Sequence, residues 1–293
     1  MERKLLVVFD IDETLIQYIP HKFYDLWLER KDRFEPNSFV ERKGKGDKKD
    51  VIIFRPNLEK MMNLFRENPF FVPALWTYSE REYCDFIAEE ITQRFNLPEN
   101  FFLFKKGAED IDEDVGIPKD LTVVYKEYPL FNTFNSILVD DRYGNINNES
   151  NIHNGLCIQP FAPFGPEKKR EKLPENEFKK QLNDTVLLSV IKIANAIKKD
   201  IEGCDEEDFV AGFETEPVFA EKRVNRMKLE EFYQTFAVKF TKVVSIGVPY
   251  LTRKFVLIKD YDKFAIKMGG KSKNKRKTRK QKTKTRKQKT MKR

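Results

Sequence analysis

The sequence has few cysteines and histidines and no long apolar run, which are features that disulfide-rich, zinc-binding and membrane proteins require. Among 293 residues there are only three cysteines, Cys84, Cys157 and Cys204, and their odd number and scattered positions favour a reducing compartment over a disulfide scaffold. Two histidines, and no cysteine pair at zinc-ligand spacing, argue against a zinc centre. No apolar run reaches the roughly 18 residues of a membrane span, and the N-terminus does not read as a signal peptide. We therefore expect an intracellular protein that does not enter a membrane.

The net charge of +8 is unevenly distributed along the chain. The last 23 residues, from Lys271, hold 14 of the 55 basic residues and no acidic residue. The remainder therefore holds 41 basic against 47 acidic residues, a net charge of about −6. Because nothing in such a segment can be buried, the composition predicts a disordered basic tail over residues 269–293.

A basic tail of this kind indicates a polyanionic partner. We expect it to bind nucleic acid or to direct localisation, including to the nucleus. The alternative is a tail that only increases solubility. A low-complexity basic tail after a Gly-Gly pair is also similar to tails on proteins of large DNA viruses.

Short apolar runs alternate with helical patterns through the first two thirds of the chain. This order predicts an α/β fold: a Rossmann-like, mostly parallel sheet flanked by helices, within a domain of residues 1–200. The predicted strands are residues 4–10, 51–55, 70–79, 121–126, 136–141 and 155–160. The predicted helices begin after Asn57, as an N-cap, after Ser79, which forms a capping box with Glu82, and at residue 184.

Three segments do not follow this alternation. Residues 17–50 are aromatic and charged, with weak periodicity, and predict a small antiparallel insert. Residues 107–120 are acidic and are interpreted as a solvated surface loop. Residues 201–268 mix helix and strand patterns and predict a folded C-terminal extension of unknown role.

Polar residues stand at the ends of several predicted strands. Asp10 and Asp12 follow the first strand, Thr77 and Lys126 end two others, and an Asp140-Asp141 pair ends another. In open parallel sheets the ligand binds at the carboxyl ends of the strands, so these side chains are expected on one rim.

The gathered residue types suit phosphoryl transfer. Clustered carboxylates repel one another unless a cation lies among them, and Mg²⁺ accepts carboxylate and substrate oxygens. Lysine and threonine donate to phosphate oxygens. One carboxylate can attack phosphorus, and a second, two residues away on the same side of an extended segment, can protonate the leaving oxygen.

Five motifs carry a resemblance to a known family. "DIDETL" matches the DxDxT signature of haloacid-dehalogenase-like phosphohydrolases, in the form of the RNA polymerase II C-terminal-domain phosphatases and their small, NLI-interacting-factor-like relatives. "FRPNLEKMM", "LWTYS", "VVYKEYPLF" and "SILVDDR" resemble that family's later motifs in the same order. "VVYKEYPLF" departs from the usual pattern, because the Asp-Leu that follows the family's lysine is missing after Lys126.

The resemblance implies a role for each matching residue. It implies that Asp10 is the nucleophile and a Mg²⁺ ligand, and that Asp12 is the general acid/base with its carbonyl on the metal. Thr77 and Lys126 would hold the phosphoryl group. Asp141 would be the remaining protein ligand of Mg²⁺, with Asp140 in support.

The leading hypothesis is a Mg²⁺-dependent phosphatase acting on phosphoserine or phosphothreonine of a phosphorylated protein substrate. One alternative is a phosphatase of nucleic-acid ends or nucleotides, for which the basic tail would hold the substrate. A third possibility is a nucleic-acid-associated scaffold with a vestigial enzyme body.

Overall fold

The computed structural model describes residues 3–43, 49–111, 119–133, 135–146, 151, 154–166, 170–203, 243–245 and 255–257. Its strands are β1 (Leu5–Phe9), β2 (Ile16–Ile19), β3 (Phe39–Lys43), β4 (Lys49–Phe54), β5 (Phe71–Trp76), β6 (Lys105–Lys106), β7 (Ser136–Asp140), β8 (Gly155–Ile158), β9 (Val243–Ser245) and β10 (Phe255–Leu257). Its helices are α1 (Tyr24–Leu28), α2 (Leu58–Glu67), α3 (Arg81–Arg94), α4 (Leu121–Glu127), α5 (Tyr143–Ile146), α6 (Glu175–Leu182) and α7 (Val186–Gly203).

The main sheet has the strand order β6-β5-β1-β7-β8-β10-β9. Every neighbouring pair is parallel except β9 with β10. Strand β1 lies between β5 and β7 and is fully buried, as its unbroken apolar run predicts for a central parallel strand. The predicted Rossmann-like α/β fold is confirmed.

Helices cover the sheet through one apolar face each. Helix α2 buries four residues at helical spacing, Leu58, Met61, Met62 and Phe65. Helices α3 and α7 contribute Ile87, Ile91, Leu187, Val190, Ala194 and Ile197 to the same core. This packing holds β1 and its neighbours rigidly, so the strand ends are fixed in space.

The antiparallel insert is present but longer than predicted. A second sheet, in the order β2-β4-β3, is antiparallel throughout and pairs Ile16 with Phe54. The insert therefore extends to residue 54 rather than ending at residue 50. The run at 51–55 was assigned to a strand correctly, but that strand pairs within the insert. Trp27 is buried beneath this sheet against aromatic side chains that include Phe34 and Phe39.

Two local predictions are wrong. Residues 121–126 form helix α4 rather than a strand, because the Asp120 side chain caps the helix by accepting from Thr122 N, and Leu121 and Val124 bury one face. The capping box at Ser79 does not form, since the residue before α3 is Glu80 and its side chain makes no cap. Asn57 does precede α2, although its side chain donates to the carbonyl of Asp184 instead.

The C-terminal third is described only in part. Helix α7 continues to Gly203, slightly beyond the predicted domain end, and β10 pairs with β8 in the main sheet. The rest of the predicted extension (201–268) and the basic tail (269–293) lie outside the described residues. Within the described residues no helix is both long and apolar enough to span a bilayer.

Candidate active site

The two central strands bring two aspartates together. Strands β1 and β7 are parallel neighbours in a register that pairs Phe9 with Val139, so Asp10 and Asp140 leave the sheet side by side. The backbone N–H of Asp10 donates to the carbonyl of Val139 at 2.9 Å. Asp140 is fully buried and Asp10 nearly so. The rim of the sheet therefore presents two carboxylates shielded from water.

A lysine lies between these aspartates. The ammonium of Lys119 donates to Asp10 Oδ1 at 2.5 Å and to Asp140 Oδ2 at 2.7 Å. Lys119 is fully buried and stands in the turn just before α4. Burial favours the neutral amine, but the two carboxylates outweigh it and hold the pKa of Lys119 above its ordinary value. Lys119 is therefore a fixed positive charge within the acidic rim.

Asp141 completes a cluster of three acids. Its backbone N–H donates to the hydroxyl of Thr14 at 3.1 Å, which ties it to the loop that follows β1. Carboxylate oxygens of Asp10, Asp140 and Asp141 all lie within 4.8 Å of one another. This is the arrangement expected of ligands around a single hard cation.

The cluster carries negative charge that Lys119 does not fully offset. Burial, together with repulsion from Asp140, raises the pKa of Asp10 to about 7 although Lys119 opposes the shift. Burial and repulsion from Asp10 and Asp140 raise the pKa of Asp141 to about 8. The oxygen-rich donor set and the uncompensated charge both fit a divalent cation such as Mg²⁺.

Asp12 is held by a tyrosine. The Tyr83 hydroxyl, from the first turn of α3, donates to Asp12 Oδ1 at 2.6 Å. Burial and the Asp12 charge keep the pKa of Tyr83 well above its ordinary value, so the phenol stays a donor. Asp12 is half-buried. Its carboxylate therefore has a fixed direction while remaining accessible from the rim.

Thr77 lies on the same rim. It follows β5, the other neighbour of β1, and is buried, and its hydroxyl accepts from Ser79 N at 3.1 Å. The next residue, Tyr78, is partly exposed, and its ring centroid lies 5.6 Å from Lys119 Nζ. The hydroxyl of Thr77 keeps its own hydrogen free to donate to a ligand.

Lys126 does not join the site. It lies in the last turn of α4 and is exposed to solvent, because the run that was predicted to end a strand is helical. The structure thus corrects the sequence-based choice of lysine: Lys119 contacts Asp10 and Asp140. Three of the predicted site residues do meet, namely Asp10, Asp140 and Asp141, and Asp140 also contacts Lys119. Asp12 and Thr77 follow the neighbouring strands β1 and β5 at the same edge of the sheet.

The sequence contains a signal for Lys119. Lys119, Asp120 and Leu121 form the sequence Lys-Asp-Leu, in which a lysine is followed by Asp-Leu as is usual in the family. Lys126 is followed by Glu-Tyr instead. Lys119 was overlooked because residues 107–120 were interpreted as a solvated loop. Tyr83 had no comparable signal, since a tyrosine on an amphipathic helix is usually a core residue.

Comparison with known proteins identifies the family. A model of the NLI interacting factor-like phosphatases matches residues 5–201, about two thirds of the chain. The chain belongs to this phosphatase family. The match begins at β1 and ends in α7, so it includes every residue of the acidic rim.

One solved structure supports the fold of this family member, and two others are less similar. The structure of Fcp1, an essential RNA polymerase II CTD phosphatase, aligns with a TM-score of 0.53 at 14% identity, covering 88% of this chain and 82% of that one. Fission yeast Fcp1 bound to beryllium fluoride aligns with a TM-score of 0.49 at 16% identity over the same shares. A haloacid dehalogenase-like hydrolase from Bacteroides fragilis gives a TM-score of 0.34 at 11% identity, covering 60% of this chain and 92% of that one. A search of curated proteins gives no match.

Proposed function

We propose that this protein is a Mg²⁺-dependent phosphatase that acts through an aspartyl-phosphate on phosphoserine or phosphothreonine of a protein. The observation that carries the proposal is the position of Lys119, whose ammonium contacts both Asp10 and Asp140 at the carboxyl edge of the sheet. A phosphoryl group bound at this edge would meet a nucleophile and a positive charge together.

Asp10 is the proposed nucleophile. Its carboxylate attacks phosphorus, the bond to the leaving oxygen breaks, and the phosphoryl group becomes attached to Asp10. Lys119 and the hydroxyl of Thr77 donate to the phosphoryl oxygens, where charge accumulates in the transition state. The low exposure of Asp10 and Lys119 strengthens these interactions, because little water competes with them.

Asp12 is the proposed general acid and base. In its protonated form it donates a proton to the leaving oxygen, and it then removes a proton from the water that hydrolyses the aspartyl-phosphate. Tyr83 supports this role, because its hydrogen bond to Asp12 Oδ1 fixes the direction of the Asp12 carboxylate.

Asp10, Asp141 and the backbone carbonyl of Asp12 are the proposed ligands of Mg²⁺, with Asp140 beside them. When bound there, the ion neutralises charge on the substrate phosphoryl oxygens. The raised pKa values of Asp10 and Asp141 support a cation site, since both carboxyls would be ionised more readily beside a divalent charge.

A protein substrate is supported by the likeness to a phosphatase of the RNA polymerase II CTD and by the insert. The insert sheet starts at Ile16, directly after the loop of residues 10–15 that carries Asp10 and Asp12, so it lies beside the rim. A surface in that position can contact residues that flank a phosphorylated side chain.

A substrate and metal panel tests the proposal. Purified protein should hydrolyse p-nitrophenyl phosphate and phosphoserine peptides with Mg²⁺, and lose this activity in excess chelator or Ca²⁺. Calcium favours more oxygen ligands and would hold Asp10 through both oxygens. Oligonucleotides with 3′- or 5′-phosphates complete the panel. Full activity in chelator would overturn the metal-dependent mechanism, and a preference for oligonucleotides would overturn the protein substrate.

The basic tail is proposed to bind nucleic acid separately from catalysis, and a nuclear or other nucleic-acid-rich location is proposed on the same ground. Deleting residues 271–293 should leave aryl phosphate hydrolysis nearly unchanged, because the predicted catalytic residues all precede residue 142. Binding to DNA or RNA should fall, and binding by the full chain should weaken steeply with salt. Equal polynucleotide binding by the truncated protein would contradict this.

A further inference from the structure

The backbone of Lys119 adopts an uncommon conformation. Its φ is 50°, in the left-handed region that residues with a Cβ rarely occupy. Such conformations persist when surrounding contacts over-determine them, and they concentrate at functional sites. The contacts that impose this one on Lys119 therefore bear on how its ammonium reaches the acidic rim.

A single buried side chain holds the backbone on both sides of the turn. Asn151 Nδ2 donates to the carbonyl of Lys119 at 2.8 Å, and Asn151 Oδ1 accepts from the N–H of Leu121 at 3.2 Å. The amide of Asn151 thus donates to the Lys119 carbonyl and accepts from an N–H in the first turn of α4 at the same time. Asn151 is fully buried, which leaves its amide no alternative partner in bulk water.

The same side chain is connected to Asp140 from the opposite direction. Asn151 Nδ2 also donates to the carbonyl of Asn145 at 2.8 Å, and Asn145 Nδ2 donates to Asp140 Oδ2 at 2.8 Å. That oxygen of Asp140 is the one that accepts from Lys119. A closed circuit therefore runs from Asn151 through the Lys119 backbone, its ammonium, Asp140 and Asn145 back to Asn151.

We propose that Asn151 is a positioning residue that fixes both Lys119 and Asp140 in the geometry required to bind the phosphoryl group. This inference rests on the proposed phosphatase function and deepens it. The bonds of Asn151 that carry this inference are to main-chain atoms of Lys119, Leu121 and Asn145. Asn151 acts by holding the turn that delivers the ammonium of Lys119 and the loop that orients the carboxylate of Asp140.

Asn154 provides a matched comparison. It is also a buried asparagine, and its Nδ2 donates to the carbonyls of Thr133 at 2.7 Å and Ser136 at 2.6 Å. These bonds join the residue before β8 to Thr133 and to the first residue of β7, and they do not involve Lys119. The isosteric change to aspartate removes the Nδ2 donor in both cases. The two variants therefore differ in which backbone carbonyls lose a hydrogen bond: those of Lys119 and Asn145, or those of Thr133 and Ser136.

The test compares Asn151→Asp with Asn154→Asp in the full chain with Mg²⁺. We expect Asn151→Asp to lower kcat/KM for p-nitrophenyl phosphate by about 10- to 100-fold. A displacement of the Lys119 ammonium by about 1 Å would lower the rate by up to about 100-fold. Inhibition by inorganic phosphate should weaken in parallel. Asn154→Asp should lower the unfolding temperature to a similar extent and change the inhibition constant for phosphate by less than about twofold.

A double-mutant cycle with Lys119→Gln separates positioning from stability. Asn151→Asp should weaken the binding of inorganic phosphate in the parent protein and have almost no further effect when Lys119 is already replaced. Additive losses, equal losses in the Asn151 and Asn154 variants, or parental activity of Asn151→Asp would each overturn the inference. If Asn151→Asp does not fold, Asn151→Ser replaces it. Absence of parental phosphatase activity would instead refute the proposed function.

Discussion

Two buried clusters of charged residues, one around Lys119 and one around Arg55, differ in how completely their charges are balanced. At the rim, Lys119 contacts two of three neighbouring carboxylates, and the pKa values of Asp10 and Asp141 are raised. Elsewhere, Arg55 pairs with Asp184 at 2.9 Å and donates to the carbonyls of Thr14 and Gln159, with both side chains almost fully buried. The second cluster has one cation, one carboxylate and backbone acceptors.

This difference separates function from structure. A buried pair whose charges are matched can hold elements together, here the loop of residues 10–15 after β1, the segment after β8 and the residues just before α7. A buried cluster with excess negative charge lowers stability and is retained where a ligand supplies the missing positive charge. Replacing single residues should therefore harm activity at the rim and folding at Arg55.

The largest expected effect is that of Asp10→Asn. An amide is a poor nucleophile, so hydrolysis of p-nitrophenyl phosphate should fall by more than about 1,000-fold. Thermal unfolding should be unchanged or shifted upward, because the substitution removes one of three mutually repelling charges. Near-parental turnover, or a large loss of stability, would remove the contrast between the two clusters.

Asp184→Asn should act in the opposite way. It leaves the Arg55 charge buried without a counter-charge, which typically costs about 3–5 kcal/mol in the free energy of unfolding. Urea denaturation measures this cost. Glu175→Gln is the control, since it breaks an exposed pair with Arg33 and should cost at most about 1 kcal/mol. A cost for Asp184→Asn no larger than the control would contradict the structural role.

Replacing Lys119 and replacing Lys126, which are close in sequence, should have different effects on kcat/KM. Lys119→Met should lower kcat/KM by about 100-fold or more, because it removes a preorganised charge from the phosphoryl site. Lys126→Met should change kcat/KM by less than about twofold, since Lys126 is exposed on α4. Steady-state kinetics on one aryl phosphate compares them. The reverse ranking would restore the lysine chosen from sequence.

These lysines show what the sequence could predict. Four strands of the main sheet, β1, β5, β7 and β8, and the aspartates that follow β1 and end β7 could be predicted from local patterns, because an apolar run and a DxD spacing are both local. The choice between Lys119 and Lys126 is not local: the two valines in the run from Leu121 favour a strand, while Asp120 and packing of the run produce a helix. Tyr83 and Asn151 reach the site only through tertiary structure.

The pH dependence of stability should be the smallest effect. Asp10 and Asp141 have native pKa values of about 7 and 8 against an ordinary 3.8, so between these limits the native state holds protons that the unfolded chain has released. Metal-free protein should therefore lose stability as the pH rises from about 5.5 to about 8.5, and Mg²⁺ should raise the unfolding temperature more at the higher pH. A double Asp10→Asn, Asp141→Asn variant is the control, and a drop of equal size in it would contradict this assignment.

Trapping the covalent intermediate would identify the nucleophile. Asp12→Asn should slow hydrolysis of the aspartyl-phosphate. The intermediate should therefore accumulate on the enzyme when a ³²P-labelled phosphopeptide is supplied as substrate. After acid quenching and peptic digestion at low pH, where an acyl phosphate survives, we expect label in a peptide that contains Asp10, and no label when Asp10→Asn is added. Label on another peptide, or phosphate release with no labelled enzyme at any time, would contradict the assignment of Asp10 as the nucleophile.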